Sequence, residues 1–322
     1  MKFLIKGMLC ASLVVSSVWA KEAIKTEVKK VEISQVINSD IEIITSENSD
    51  GKITTKSIEE AFVKAGFVVS ANRDMNGPFV KQFKESGFDI YNLFTFYKLD
   101  TVIDLAKKYP NTGLFAPMSM SIYAKKGEKA ISVSSLTVSA MAKIMKAPKD
   151  DATLLALRKL VKETLQKALP KGIFSSPKYA IQEPKGELVT NFNMEMDEEE
   201  WAEELDDLKM EFKGELATNG FVIAGFNSFT DALKDAKYDF YDVYSICKLP
   251  VIYTIAKTRP EAGAFAPCSL YLNKKSNDNM MHIGFPSVYN WMSSLAIDNK
   301  EDMKVLESAQ QSMKKILNGL TE

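Results

Sequence analysis

The feature that most constrains this chain is an internal duplication. Residues 88–123 lie over residues 238–273 without a gap at a constant offset of 150, and 12 of the 36 aligned positions are identical. The shared residues include Tyr91, Lys98, Leu99, Pro110, Gly113, Phe115, Ala116, Pro117 and Ser119, each with its partner 150 positions later. Upstream, Gly66-Phe67-Val68-Val69 answers Gly220-Phe221-Val222-Ile223 at an offset of 154. Downstream, Lys149-Asp150-Asp151 answers Lys300-Glu301-Asp302. A match of this length spans a domain-sized unit, so the chain is expected to fold as two copies of one module.

Each copy reads as mixed α and β structure. Ile90–Phe96 and Phe240–Ile246 are apolar, aromatic-rich runs bounded by turn signals, the pattern of buried strands. A helix of about ten residues follows in each copy, opened by Asp100 as a cap in one and by Pro250 in the first turn of the other. Pro110 and Pro260 stop these helices. Gly113 and Gly263 are read as turns into strands over 114–123 and 264–272, and shorter strands are expected over 130–133 and 280–283. Each copy closes on helices whose apolar stripes are Leu154, Leu157, Val161 and Leu165, and Val305, Ala309, Met313 and Ile316. A long helix after Asp197 carries Trp201, Leu205, Leu208, Phe212 and Leu216 on one face and ends at Asn219-Gly220. Its run of Glu198, Glu199 and Glu200 suits the positive end of a helix better than a metal site.

The ends of the chain suggest export. Lys2 and Lys6 precede an uncharged, largely apolar run from Gly7 to Ala20, and Val18 and Ala20 fit a signal-peptidase site. The run is too short to span a bilayer, and no later stretch does so, which leaves no membrane span after signal cleavage. The expected layout is a signal peptide over 1–20, a polar leader over 21–36, a first repeat over 37–169, a linker over 170–186 and a second repeat over 187–322. Localisation is then periplasmic or secreted. Without the signal, 39 basic residues face 42 acidic ones, a net charge of −3, which argues against nucleic acid as a partner.

The mature chain keeps two cysteines, Cys247 and Cys268, both in the second copy. The pattern Cys247-Lys248-Leu249-Pro250, followed by Pro267-Cys268 before an apolar strand, resembles the domain of unknown function 302 family. The resemblance extends to the first copy, where Tyr97 and Met118 stand in the cysteine positions. It implies an α+β fold in which each copy is an antiparallel sheet with helices on one face, similar to the half-saddle of TATA-binding proteins, and two copies packed as an internal pseudo-dimer. It implies no specific activity.

Three readings of the cysteines stay open at this point: a structural disulfide, a pair of buried unpaired thiols, and working redox or ligand chemistry. Cys247 lies ahead of a helix N-terminus and beside Lys248, both of which favour a thiolate. Lys248, Phe265 and Pro267 are further candidates for lining a pocket with Cys247 and Cys268. The single histidine, His282, follows in the next strand and could complete a soft-metal set with Cys247 and Cys268 for copper or zinc, though the spacing fits no zinc template and no cofactor is required. No dinucleotide, phosphate-loop or nucleophile-elbow motif is present. The expectation is a non-enzymatic exported module that binds a small ligand or an envelope protein partner, with thiol–disulfide or metal handling as the alternative.

Overall fold

The computed structural model describes residues 39–322, and the expected signal peptide and leader lie outside the described residues. The architecture is α+β, with two antiparallel sheets. The first contains β1 (Ile41–Glu47), β2 (Val68–Asp74), β3 (Phe88–Tyr97), β4 (Met118–Lys125), β5 (Ala130–Leu136) and β6 (Ile173–Ser175), in the order β2-β3-β4-β5-β1-β6. The second contains β7 (Val189–Glu195), β8 (Val222–Ser228), β9 (Tyr238–Cys247), β10 (Cys268–Lys275) and β11 (Met280–Pro286), in the order β7-β11-β10-β9-β8. Removing β6 leaves the same strand order in both. The short strand β6 falls in the segment expected to be a linker and pairs with β1, so part of that segment belongs to the first sheet.

The strands form because their residues alternate between two buried environments. Along β3, Phe94 and Phe96 join one apolar cluster while Tyr91 and Leu93 join another. Along β9, Phe240, Tyr244 and Ile246 point one way, and Tyr241 and Val243 the other. Burial on both faces is why these runs read as continuously apolar.

On one face, the first sheet packs against α1 (Thr55–Lys64) and α5 (Ala152–Ala168), through Ile58, Phe62, Leu157, Val161 and Leu165. The second packs the same face against α6 (Trp201–Thr218) and α9 (Lys300–Thr321), through Leu205, Leu208, Phe212, Met313 and Ile316. The expected stripes of all three long helices are therefore core. Asp197 accepts from the backbone of Glu199 and Glu200, at 2.8 and 3.0 Å, and so terminates the acidic entry to α6.

The other faces of both sheets share a single cluster, which also takes in the shorter helices α2 (Asn76–Phe83), α3 (Leu99–Lys108), α4 (Val138–Met145), α7 (Leu249–Thr258) and α8 (Val288–Ser294). Here the sequence reading needs correction. The strands expected from 114 and 264 begin only at Met118 and Cys268, because Pro110–Phe115 and Pro260–Phe265 are 3-10 turns. Each turn is inserted against the sheet of the other repeat. The Tyr241 hydroxyl donates to the Pro110 carbonyl at 2.7 Å and accepts from Gly113 N–H at 2.7 Å. Reciprocally, Tyr91 donates to the Pro260 carbonyl at 3.1 Å. Ser119 donates to the Pro267 carbonyl at 2.9 Å, and Ser269 to that of Pro117 at 3.1 Å. The edge strands add a further pair: Ser70 donates to Asn227 Oδ1, and Arg73 Nε to the Ala224 carbonyl, each at 3.0 Å.

Gly113 and Gly263 are glycines because of this insertion. A Cβ on Gly113 would lie 2.4 Å from Tyr271 Cβ, and one on Gly263 would lie 2.4 Å from Ser121 Cβ. A second correction concerns Asp100. The cap of α3 is Lys98, and Asp100 sits in the first turn, where its carboxylate pairs with Lys98 at 2.8 Å.

Candidate functional site

Strand β9 ends at Cys247 and β10 starts at Cys268, which lies opposite Ile246 in the ladder. The two cysteines therefore stand at the same end of neighbouring strands. With Ile246, Leu270, Trp291 and Met313 they line a cavity of about 70 Å³ between the second sheet and helices α7, α8 and α9. A single water needs on the order of 10–15 Å³ of such space, so the cavity has room for a compact organic group, and its apolar walls disfavour water as the occupant. Its polar lining is sparse: the two thiols, Lys248 and Gln310. Gln310 is committed, accepting from Val288 N–H at 3.1 Å and donating to Thr190 at 2.7 Å.

Both thiols are free. Of the three readings, the disulfide is not formed. Cys247 follows Ile246 in the strand, so it leaves the opposite side of the pleat from Cys268, a poor geometry for a bridge. The expected thiolate is corrected as well. Burial pushes both thiols up to about 12, and for Cys247 the neighbouring Cys268 adds to the rise. Lys248 does not counter this, because its ammonium sits over the Phe221 ring, 4.5 Å from the centroid. Partial burial holds the Lys248 pKa below the ordinary lysine value.

The soft-metal set is not assembled. His282 faces Asn273, five residues along β10 from Cys268, which at the rise of a strand is roughly 17 Å. The imidazole Nδ1 instead meets Asn193 Oδ1 at 2.7 Å. Among the described residues no cluster of three histidine, cysteine or carboxylate side chains is placed to hold a metal. Phe265 and Pro267 also lie away from the cavity. Phe265 packs its ring 6.0 Å from that of Trp291, and Pro267 belongs to the joint between the repeats. Of the six sequence candidates, Cys247, Lys248 and Cys268 are brought together. The helical wall formed by Trp291, Gln310 and Met313 carried no sign of a site beyond its apolar spacing.

The equivalent region of the first repeat is filled. Tyr97 and Met118 replace the cysteines, and only two spaces of about 20 Å³ each remain beside them. The Tyr97 ring packs edge-on against Phe229 at 5.0 Å. Lys98 is neutralised by Asp100, whereas Pro250 takes the acid's place in the second repeat. Among the described residues, Lys248 has no carboxylate within 4 Å.

Three comparisons with known proteins bear on these observations. No curated protein matches the chain. A solved structure titled as an uncharacterized conserved protein DUF302 from Bacillus stearothermophilus is similar at 13% identity, covering 42% of this chain and 100% of that one, with a TM-score of 0.34. The family model described as domain of unknown function DUF302 matches residues 199–320, which is the second repeat from α6 through α9 and contains every residue that lines the cavity.

Proposed function

We propose that this chain is a non-enzymatic binding module, exported to the periplasm or secreted, that holds a compact apolar ligand in the cavity of its second repeat. The observation that carries this reading is the contrast at equivalent positions: a cavity of about 70 Å³ at Cys247 and Cys268 where the first repeat is plugged by Tyr97 and Met118. An unfilled apolar cavity forfeits dispersion contacts and costs stability, so an occupant recovers what an empty site loses. Lys248, lacking a carboxylate partner, stands at the lining as the group that would meet a hydrogen-bond acceptor on the ligand.

The two repeats, each a half-saddle-like layer of sheet and helices, are proposed to pair as an internal pseudo-dimer. Support comes from the matched exchange of Tyr91 with Pro260 and Tyr241 with Pro110, and of Ser119 with Pro267 and Ser269 with Pro117. A thiol or metal-handling role is the weaker alternative, because thiols raised to about 12 are protonated at neutral pH.

Calorimetric titration with 1-hexanol tests the binding reading. The wild-type chain should bind it with saturation at one site, and Cys268→Met, which installs the first repeat's plug, should abolish the heat. The reverse change, Met118→Cys together with Tyr97→Cys, should create a second site. Equal binding to wild type and Cys268→Met, or none to either, overturns the proposal.

A further inference from the structure

Cys247 has a second exposure that the cavity does not use. Together with Pro267 it borders a separate cleft between the repeats, of about 400 Å³. The wall from the second repeat is completed by Val222, Ala224 and Leu249, and that from the first by Ala71, Met75, Pro78 and Leu93, so the surface is overwhelmingly apolar. The exceptions are Arg73 and Asp74.

These two charges are not equivalent. The Asp74 carboxylate is turned to the start of α2, accepting from Asn76 N–H at 3.1 Å and Gly77 N–H at 3.3 Å. Arg73 is fixed at its Nε by the Ala224 carbonyl, at 3.0 Å, and this bond leaves both terminal nitrogens of the guanidinium. Among the described residues no carboxylate lies within 4 Å of it. A guanidinium held by one bond, with its planar fork unpaired, is suited to two parallel hydrogen bonds from a carboxylate.

The reciprocal position in the joint offers a control within the molecule. There Asn227 corresponds to Arg73, Tyr97 to Cys247 and Phe229 to Met75, by the offsets that relate the repeats. Tyr97 and Phe229 pack together edge to face, occupying the space with aromatic rings, and no cation is present at Asn227. Substituting smaller side chains at Cys247 and Met75 opens the cleft, and the same end of the joint carries the arginine.

We infer that this cleft is a second binding site, for an apolar monocarboxylate whose hydrocarbon body lies between Leu93, Val222 and Leu249 and whose carboxylate meets Arg73. One cation calls for one anionic group, and the remaining walls reward hydrocarbon rather than further charge. The site is distinct from the cavity proposed above, although Cys247 borders both.

The test is a calorimetric comparison of 1-naphthoate with its neutral analogue 1-naphthalenemethanol on the full chain. Naphthoate should bind at least tenfold more tightly. Arg73→Gln should erase that preference, and Arg73→Lys should restore part of it. Cys268→Met, which fills the cavity without touching the cleft, should leave naphthoate binding unchanged. The inference is overturned if the acid and the alcohol bind equally, if the preference survives Arg73→Gln, or if Cys268→Met abolishes naphthoate binding and so locates the probe in the cavity. Arg73 does not line the cavity, so hexanol binding should not depend on it, and failure here and failure of the cavity reading are separately visible.

Discussion

The two repeats keep a common strand order and exchange matched contacts, yet differ at the end of the central strands. In the first, an aromatic ring and a methionine close the space and Asp100 neutralises the lysine. In the second, two small thiols leave it open and the lysine lies over an aromatic ring. Since the scaffold is shared, the difference isolates what scaffold alone does not require. Tyr91, Pro110, Gly113, Pro117 and Ser119 are identical in both copies because they build the joint. The cysteine positions differ between copies: Tyr97 packs against Phe229 where its counterpart Cys247 borders an open cleft.

The joint is where substitution should cost most. Gly113→Ala and Gly263→Ala each force a methyl into a neighbouring side chain, and each should destabilise the fold by about 3 kcal/mol, the upper end of ordinary overpacking. Thermal unfolding should show similar losses for the two. A large loss in one and none in the other would break the reciprocity.

Tyrosine deletion gives a smaller effect. Tyr241→Phe leaves the buried Gly113 N–H without its partner and should cost about 2 kcal/mol, since an unmatched buried donor carries its full desolvation penalty. Tyr91→Phe should cost about the same, because its hydroxyl likewise meets Gly263 N–H, and Pro110 and Pro260 each keep a second donor, Asn273 at 3.1 Å and Ser121 at 2.9 Å. Urea titrations of both variants check the pair, and a loss in only one of them would contradict the matched exchange.

The smallest expected effect is the pH dependence contributed by the two thiols of the second repeat. Its thiols are raised to about 12 in the folded chain, above the roughly 8.5 of an unfolded cysteine. Below about pH 8.5 both states hold these protons and the thiols contribute no slope. Above it the unfolded state loses protons that the folded state retains, so stability falls as pH rises toward 12. Between pH 7.5 and 9 the loss should be on the order of 1 kcal/mol. A double Cys247→Ser, Cys268→Ser variant should show a shallower fall in urea midpoint, and an identical slope would contradict the burial of these groups.

Much of this organisation is legible in the sequence, for identifiable reasons. The duplicated strands β3 and β9 are buried on both faces and therefore continuously apolar, and the stripes of α5, α6 and α9 keep helical spacing. The stops at Pro110 and Pro260 and the turns at Gly113 and Gly263 are legible, but the strands start four residues later than expected, because what shapes residues 114–117 and 264–267 is the surface of the other repeat, which no local pattern records. Strand β7, with asparagine at 191 and 193, has little that separates it from a loop, and β6 has only three residues. At the site, Cys247, Lys248 and Cys268 stand out by residue type. Emptiness does not, because a void depends on the summed volumes of residues far apart in the chain, among them Phe221, Trp291 and Met313.

The acceptors at the centre of the joint are main-chain carbonyls, those of Pro110, Pro117, Pro260 and Pro267. Such an acceptor is supplied by the path of the chain, whatever side chain the residue bears. Fusion of two modules through backbone acceptors thus fixes their alignment with a handful of hydroxyls and two glycines, and leaves most other positions at liberty to drift. One copy can then specialise at its strand ends while its twin serves as ballast that holds the alignment.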